Sequence, residues 1–513
     1  MEWTKEQRYR SMEDVTDEEI QGLARLVDKC PWRQTFHIQP VTGLLNDPNG
    51  FGYFNGEYHL FYQWFPLGPV HGLKHWYHTK SKDLVHWENV GLAIEPSNKF
   101  DSHGAYSGSA IEHDGKLFVM YTGNTRDENW NRHPYQCLAV MDQDGQMTKL
   151  AEPVIADVPE GYTEHFRDPK VWKAGDEFYT VIGAQRENET GTVVFYRSRD
   201  LRDWQFAGEM KTGLGDDFGY MWECPDYFEL DGQGVFIFSP QGLQAEGDFY
   251  QNIYQSGYVV GRPLDLESGT LSHGAFYELD RGFDFYAPQT TLDSHGRRIL
   301  VGWMGLPEID YPTDKNGWAH CLTLPRELSI RDGKLIQQPV AELELLRGEK
   351  VEGSGVVEND SLPLEGFEGE VYELNVEFFG SSAAEFGVEL RVGEGEKTVI
   401  KYDAAAKKVV FDRTNSGKAF AEEYGTVRKC RVDVDDTISF RVFVDVSSIE
   451  VFVNDGEEVF TGRIFPGKNS TGIRVFARGG ETNVKAVKWD IVPGQGDRHL
   501  VPELDFRGHR HLF

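Results

Sequence analysis

Cysteine is scarce in this sequence, and the few cysteines are far apart. The chain of 513 residues has five, an odd number, and no two stand at a spacing typical of a zinc or redox motif. A disulfide-stabilised scaffold and a cysteine-bound metal are therefore excluded, and free thiols in a reducing, cytoplasmic compartment are expected. The five are Cys30, Cys137, Cys224, Cys321 and Cys430.

Basic charge and long apolar segments are also scarce. A formal net charge of −31 results from 52 lysines and arginines against 83 acidic residues. Binding to nucleic acid or to an anionic membrane is therefore not expected, although a few local cations could still hold a small anion. No run of about 18 apolar residues exists, which excludes a transmembrane helix. Residues 1–15 are charged and have no apolar centre, so no signal peptide is expected.

What the sequence has instead is a repeated strand unit. A glycine turn followed by an apolar strand occurs five times, at a spacing of about 60 residues. Strand-rich units with a fixed period and no helical crossovers indicate a propeller or a solenoid, and five units predict five blades. The five runs are 56–62, 115–121, 175–181, 232–238 and 296–301.

A polar motif precedes each glycine turn by about seven to ten residues. Three of the five motifs carry an acid, namely Asp47, Asp168 and Glu223. Because equivalent positions of the blades lie at similar distances from the propeller axis, acids on the innermost strands would converge at the mouth of the channel. The alternative is a set of surface turns whose acids pair outward with lysine or arginine.

The remaining patterns divide the chain into four parts. Thr16 and Glu19 form a predicted capping box before an apolar helical stripe. Near Pro339 a short linker helix is predicted, and beyond it apolar and polar residues alternate as in half-buried antiparallel strands. The fold prediction is all-β, a five-bladed β-propeller followed by a C-terminal β-sandwich. The parts are a helical extension (1–33), the propeller (34–335), the linker helix (336–350) and the sandwich with a C-terminal tail (351–513).

Four motifs stand in order along the chain: Asn-Asp-Pro-Asn-Gly at 46–50, Tyr-Ser-Gly-Ser at 106–109, Arg-Asp-Pro at 167–169 and Trp-Glu-Cys-Pro at 222–225. Together they resemble the invertase and fructan-hydrolase family of glycoside hydrolases. The resemblance covers nearly the whole chain and implies a propeller joined to a β-sandwich, for which residues 445–452 are similar to a signature.

The resemblance implies hydrolysis of a fructosyl bond with retention of configuration. Asp47 matches the nucleophile, Glu223 the general acid/base and Asp168 the transition-state stabiliser. Two carboxyls about 5 to 5.5 Å apart allow a double displacement through a covalent intermediate. Glu223 must carry a proton to give it to the leaving oxygen, and Asp168 would accept hydrogen bonds from sugar hydroxyls. The reaction needs no cofactor.

Eight further residues are carried over from the resemblance as the lining of the sugar site. For the aromatic residues core packing is the alternative, and for Arg167 it is a structural salt bridge. His71, His75 and His78 would cluster only on a helix, and the flanking patterns predict strands, so no metal site is expected. The eight are Asn46, Gln63, His71, Trp76, Tyr106, Ser107, Arg167 and Trp303.

Two stretches, 68–76 and 126–134, are most similar to the bacterial branch of the family that acts on sucrose 6-phosphate. Departures from the broader family, such as His71 where a tryptophan is common, leave the substrate preference open. The phosphate would lie outside the fructose pocket, and cations on these stretches are its candidate ligands, with ordinary surface cations as the alternative. The candidates are Lys74, His75, Arg126, Arg132 and His133.

Other functions remain open at this point. Sucrose, fructans or fructo-oligosaccharides are alternative substrates, and fructosyl transfer would use the same residues. An inverting hydrolase would need carboxyls about 6.5 to 9.5 Å apart. A non-catalytic sugar-binding propeller would be expected to lack an acid, and this chain has all three. The sandwich is a candidate surface for a homo-oligomer.

Overall fold

The computed structural model describes residues 2–493, and most of the regular secondary structure in these residues is β-sheet. Two α-helices precede the strands, and Thr16 and Glu19 form the predicted capping box at the second helix. Its apolar stripe is buried, so this helix packs on the rest of the molecule. No helix among the described residues is long and apolar enough to cross a membrane. The helices are α1 (Lys5–Arg8) and α2 (Asp17–Asp28).

Five sheets form the blades of a propeller, as predicted. The first blade is β1 (Gly43–Phe54), β2 (Glu57–Phe65), β3 (His75–Ser81) and β4 (Glu88–Ile94). The second is β5 (Ala105–His113), β6 (Lys116–Arg126), β7 (Arg132–Met141) and β8 (Met147–Lys149). The third is β9 (Tyr162–Ala174), β10 (Glu177–Arg186), β11 (Gly191–Ser198) and β12 (Gln205–Glu209). The fourth is β13 (Met221–Leu230), β14 (Gln233–Gln241), β15 (Gly257–Gly261) and β16 (Tyr277–Glu278).

The last blade closes the ring. Among its strands, the short strand β19 (Trp318–Ala319) leaves the blade and pairs in parallel with β1 of the first blade. The first strands of successive blades contact one another around the ring, so they are the innermost strands. The strands are β17 (Tyr286–Leu292), β18 (Arg298–Met304), β19 (Trp318–Ala319), β20 (Cys321–Leu322), β21 (Arg326–Arg331) and β22 (Lys334–Pro339).

Each innermost strand carries a β-bulge at the same phase, where its polar motif stands. A bulge adds one unpaired residue, bends the strand and redirects its side chains. It also explains why proline, which cannot donate to a ladder, occurs in strands at the centre of the molecule. The prolines at these sites are Pro48, Pro169, Pro225 and Pro288.

The linker differs from its prediction. Residues 334–339 continue as strand β22, whose Pro339 pairs with Arg326 of β21, so they are not helical. Only Ala341–Leu346 form a helix, and it is a 3₁₀ helix of six residues. The apolar residues Leu343 and Leu346 are buried, which accounts for the helical appearance of the pattern. Further 3₁₀ turns are Met12–Asp14, Asp314–Asn316, Glu422–Tyr424 and Asn454–Gly456.

The C-terminal domain is sandwich-like, but one curled sheet of ten strands makes both of its layers. The long strand β32 (Gly472–Ile491) belongs to both layers, since residues 472–478 pair with β25 (Glu385–Gly393) and residues 483–490 with β24 (Tyr372–Phe379). The part of the predicted domain beyond residue 493 lies outside the described residues. The strands are β23 (Arg347–Glu368), β24 (Tyr372–Phe379), β25 (Glu385–Gly393), β26 (Glu396–Asp403), β27 (Lys408–Asn415), β28 (Val427–Arg431), β29 (Ile438–Asp445), β30 (Ser448–Val453), β31 (Glu458–Arg463) and β32 (Gly472–Ile491).

A buried charge network joins the two domains. The ring of His37 lies between two carboxylates, with Nδ1 2.7 Å from Asp445 and Nε2 2.6 Å from Glu450. Burial lowers the pKa of His37, but the two carboxylates more than offset this effect and raise it to about 9. Arg326 then links Glu450 to Asp280 of the propeller. The acids of the 445–452 signature therefore connect the domains.

Candidate active site

A pocket of about 230 Å³ at the mouth of the channel contains all three predicted acids. A larger cavity of about 380 Å³ lies between the linker and the sandwich, but none of the residues predicted for the site lines it. The pocket is lined by Tyr9, Asn46, Asp47, Gln63, His71, Gly72, Lys74, Tyr106, Arg132, Arg167, Asp168, Glu223, Gln241, Tyr286, Trp303 and Pro307.

The bulges place the motif residues in two layers. In each blade, the residue directly before Pro48, Gly108, Pro169, Pro225 or Pro288 belongs to an inner layer, in which side chains from different blades are hydrogen-bonded to each other. The residue one position earlier belongs to an outer layer, which includes a chain of bonds across the third, fourth and fifth blades. The inner layer is Asp47, Ser107, Asp168, Cys224 and Ala287. The outer layer is Asn46, Tyr106, Arg167, Glu223 and Tyr286.

Asp47 is oriented by two neutral donors. Ser107 Oγ donates to Asp47 Oδ2 at 2.6 Å, and Asn46 Nδ2 donates to Asp47 Oδ1 at 3.2 Å. Burial raises the pKa of Asp47 and the nearby charge of Glu223 raises it further, while the bond from Ser107 acts in the opposite direction. The donors favour the ionised carboxylate that a nucleophile needs, and they fix its direction.

Lys74 belongs to this part of the pocket and not to its rim. Its side chain is buried, and Nζ donates to Asn46 Oδ1 at 2.5 Å and lies 2.8 Å from His71 Nδ1. Because Asn46 Oδ1 accepts from Lys74, the amide nitrogen is turned towards Asp47 and Gln63. Burial lowers the pKa of Lys74 to about 7. This burial and these two partners argue against Lys74 as a phosphate ligand at the rim.

Glu223 is held by one cation and one hydroxyl. Arg167 donates from Nε and Nη2 to Glu223 Oε2 at 3.0 and 2.9 Å. Tyr286 donates its hydroxyl to Glu223 Oε1 at 2.6 Å. Arg167 thus pairs with the predicted proton donor, although its neighbour along the chain is Asp168. Tyr286 was missed, yet it stands directly before Ala287-Pro288 in the fifth repeat, as Glu223 stands directly before Cys224-Pro225 in the fourth.

Asp168 and Asp47 share a third side chain, the thiol of Cys224. Its Sγ lies 3.4 Å from Asp47 Oδ2 and 3.5 Å from Asp168 Oδ2, and the backbone N–H of Cys224 donates to Asp168 at 3.0 Å. Burial and the two acids raise the pKa of Cys224, so the thiol stays protonated and donates. Burial, with the charges of Glu223 and Asp47, raises the pKa of Asp168 to about 7.

The other predicted lining residues divide into two groups. Gln63, His71, Tyr106 and Trp303 line the pocket. Trp76 does not, because its ring is fully buried against Phe61 and its indole N–H donates to the carbonyl of Tyr106 at 2.8 Å. Trp76 therefore supports Tyr106 from behind, and its prediction as a lining residue is wrong.

The surroundings of two further phosphate candidates also argue against that role. His75 is 2% exposed, its Nδ1 bonds to the carbonyl of Leu73, and burial lowers its pKa to about 4. His133 is paired with Glu164 at 3.4 Å and bonded to the carbonyl of Ala156. Arg132 lines the pocket, and Arg126 stands opposite it on the neighbouring strand.

All five cysteines are free thiols, as predicted. Four of them are buried, and Cys224 is the one that reaches the acids. One oxygen each from Asp47 and Asp168 and the sulfur of Cys224 lie within 4.8 Å of one another. The missed role of Cys224 could have been found from its position, which is that of Asp47 and Asp168 in the repeat. No sequence signal pointed to Tyr9.

Comparisons with known proteins agree with this architecture. Residues 37–339 match the description "Glycosyl hydrolases family 32 N-terminal domain", and residues 342–490 match "Glycosyl hydrolases family 32 C terminal". The sucrose-6-phosphate hydrolase of Staphylococcus xylosus is 49% identical over 490 residues, covering 96% of this chain and 99% of that protein. The enzyme of the same name from Vibrio alginolyticus is 46% identical, covering 90% and 92%.

Two solved structures extend the comparison. The sucrose-6-phosphate hydrolase of Lactobacillus gasseri has a TM-score of 0.89 at 39% identity, covering 96% of this chain and 100% of that one. A mutant β-fructofuranosidase of Bombyx mori in complex with sucrose has a TM-score of 0.80 at 34% identity, covering 94% and 99%. With both domains matched and three acids converging at the channel mouth, the chain belongs to family 32 of the glycosyl hydrolases.

Proposed function

We propose that the protein hydrolyses the β-fructofuranosyl bond of sucrose 6-phosphate, and also that of sucrose, with retention of configuration. The observation that carries this proposal is the convergence in one pocket of Asp47, held by neutral donors, with Glu223 and Asp168. The names of the relatives support the substrate, and the family supports the bond that is cleaved.

The first half of the reaction uses Asp47 and Glu223. Asp47 attacks the anomeric carbon of the fructosyl group while Glu223 gives a proton to the leaving oxygen. The result is a covalent fructosyl ester on Asp47. Asp168 accepts hydrogen bonds from ring hydroxyls, and these bonds strengthen as positive charge develops on the ring. Arg167 and Tyr286 hold Glu223 at the pocket wall.

The second half returns the enzyme to its starting state. Glu223, now deprotonated, takes a proton from water, and the water oxygen attacks the anomeric carbon and releases Asp47. If a sugar hydroxyl takes the place of water, the same residues perform fructosyl transfer. Fructans and fructo-oligosaccharides are alternative substrates of the same pocket.

A comparison of purified protein on sucrose 6-phosphate, sucrose and inulin tests the proposal. We expect the highest kcat/KM with sucrose 6-phosphate and the lowest with inulin. NMR of the first product should show the β-anomer of fructofuranose, as retention requires. First formation of the α-anomer would contradict the mechanism, and a preference for inulin would contradict the substrate.

Two further predictions concern the setting of the enzyme. The five free thiols favour a reducing, cytoplasmic compartment. Self-association through the sandwich stays a prediction. Light scattering coupled to gel filtration tests it, and a monomer at micromolar concentration would contradict it.

A further inference from the structure

The segment 2–15 lies on the propeller and reaches the rim of the pocket. The carbonyl of Arg8 accepts from the N–H of Leu73 at 2.7 Å, and Arg8 Nη1 donates to the carbonyl of His71 at 2.7 Å. Trp3 packs edge-on against Phe65. These contacts place Tyr9 in the lining of the pocket.

Two glycines of the 68–76 stretch make room for this segment. A Cβ on Gly68 would lie 2.2 Å from the ring of Trp3, and a Cβ on Gly72 would lie 2.5 Å from the carbonyl oxygen of Arg8. Distances this short require the Trp3 ring or the Arg8 backbone to move. The 68–76 stretch therefore forms part of the surface on which the segment 2–15 packs.

The same segment contacts the second distinctive stretch, 126–134. Tyr9 packs edge-on against Trp130 with ring centroids 5.1 Å apart, and Lys5 Nζ lies 3.3 Å from the centre of the Trp130 ring. Arg126 donates to the carbonyl of Trp130 and lies near its ring. The segment therefore connects the two stretches across the outer edge of the pocket.

An excess of positive charge collects at this edge. Arg126 and Arg132 are directly opposite each other on β6 and β7, an arrangement of like charges that destabilises an antiparallel pair. Within residues 2–493 neither arginine has a carboxylate partner, and the Nε of Arg126 is buried without a hydrogen bond. This happens in a chain with a formal net charge of −31, where acids are abundant.

The pKa values of two neighbouring histidines agree with this local excess of positive charge. Burial, with the charges of Arg167 and Arg132, lowers the pKa of His165 to about 4. Burial and the charge of Arg126 lower the pKa of His103. Both imidazoles are therefore neutral at pH 7, and neither adds to the repulsion. An anion bound between the arginines would remove it.

We propose that Tyr9, Arg126 and Arg132 bind the phosphate of the substrate's leaving group, and that the segment 2–15 completes this site. The inference rests on the proposed function, because it assigns the phosphate of sucrose 6-phosphate to a place. Arg132 and Tyr9 line the same pocket as Glu223, which protonates the leaving oxygen. Arginine can hold a phosphate through two parallel N–H bonds, and the Tyr9 hydroxyl adds a further donor.

Single substitutions at the three residues test the assignment. For Arg132→Gln and Arg126→Gln, we expect kcat/KM on sucrose 6-phosphate to fall roughly ten- to a hundredfold, and much less on sucrose, because charge-assisted bonds to the phosphate are lost. Tyr9→Phe should act in the same direction by roughly three- to tenfold, since it removes one neutral donor. His133→Ala is the matched control, since His133 is already bonded to Glu164 and Ala156.

Product binding gives a readout that does not depend on turnover. The wild type should bind glucose 6-phosphate more tightly than glucose in calorimetry, and Arg132→Gln should abolish the difference. Equal affinities for the two sugars in the wild type would overturn the site even if the enzyme is active. A wild type that prefers glucose 6-phosphate but cleaves neither sucrose nor its phosphate would overturn the proposed function alone.

The role of the segment is tested by substitutions at residues that do not themselves line the pocket. In Gly68→Val the side chain would collide with Trp3 and displace the segment with Tyr9. We expect sucrose hydrolysis to stay within about threefold of wild type, while the preference for sucrose 6-phosphate falls roughly tenfold. Trp3→Ala, which removes the anchor instead, should give the same result. If both variants keep the preference unchanged, the segment takes no part in binding phosphate.

Discussion

The channel mouth and the domain interface both contain buried acids, but the acids have different bonding partners in the two regions. At the interface each acid meets a cation: Asp445 contacts His37, Glu450 contacts His37 and Arg326, and Asp280 contacts Arg326. At the mouth Glu223 has Arg167, whereas Asp47 and Asp168 are bonded to hydroxyl, amide and thiol donors. The buried acids of the interface are therefore matched, meaning that each is paired with a cation. At the channel mouth Glu223 is matched, whereas Asp47 and Asp168 are unmatched.

The difference appears in the proton affinities of Asp445 and Asp168. Burial raises the pKa of Asp445, but His37 more than offsets this and leaves the pKa below its usual value. At the mouth, burial and neighbouring acids raise the pKa of Asp168 to about 7. Removing one partner of a matched buried pair leaves the other charge uncompensated, which is strongly destabilising. Buried acids without a cationic partner have raised pKa values, and such shifts are typical of functional sites. Their ionisation lowers the stability of the fold.

The largest effect is expected from Asp47→Asn, which removes the nucleophile and keeps the shape. Turnover of sucrose 6-phosphate should fall by a factor on the order of 10³ or more. Because a repelling charge is also removed, the melting temperature should not fall. Near-normal turnover in steady-state assays would end the assignment of Asp47.

A smaller loss is expected from Glu223→Gln, which removes proton donation. Rates should fall about 10² to 10⁴-fold on sucrose 6-phosphate. The loss should be smaller on an aryl fructoside with a good leaving group, since that group needs less protonation. If the two substrates suffer equally, Glu223 is not the acid.

His37→Gln tests the matched side of the comparison. It leaves Asp445 and Glu450 without this partner, and the loss of one member of a buried ion pair costs about 3 to 5 kcal/mol. The folded-state pKa of about 9 is above the ordinary value of 6.5, so His37 stabilises fully below pH 6.5 and its contribution is lost as the pH rises through 9. Melting temperatures of wild type and variant should therefore differ most at pH 6 and converge above pH 9. A constant difference would contradict a charged His37.

Asp168→Asn tests the unmatched side, and its effect on stability should have the opposite sign. The pKa of Asp168 is raised from 3.8 to about 7, so ionisation destabilises the fold increasingly as the pH rises through this window. The variant should melt a few degrees above wild type at pH 8 and no higher at pH 4. Activity should be lost at both values. A lower melting temperature at pH 8 would show that Asp168 is matched after all.

The sequence predicted the features that depend on local repetition. The five blades and the three acids follow from a recurring phase, and Tyr286 and Cys224 could have been added by comparing the same positions in each motif. The placement of Lys74, His75 and Trp76 was not predictable, because the irregular turn before β3 hides which side of the blade each side chain joins.

Features that depend on distant contacts were not predictable. His37 and Asp445 are 408 residues apart along the chain, and no local pattern links them. The placement of Tyr9 depends on the fit of Trp3 and Arg8 over two glycines, which only the folded structure brings together. The bulges were equally hidden, although the prolines that mark them were visible.

The central claim is that Asp47, at the unmatched end of the comparison, forms the covalent bond to fructose. Incubating Glu223→Gln with an activated fructosyl donor should trap the ester, since the variant lacks the base that helps water to release it. Mass spectrometry of the digested protein should then find one fructosyl group on the peptide that contains Asp47. A label on Asp168, or no covalent adduct while the donor is consumed, would contradict the account.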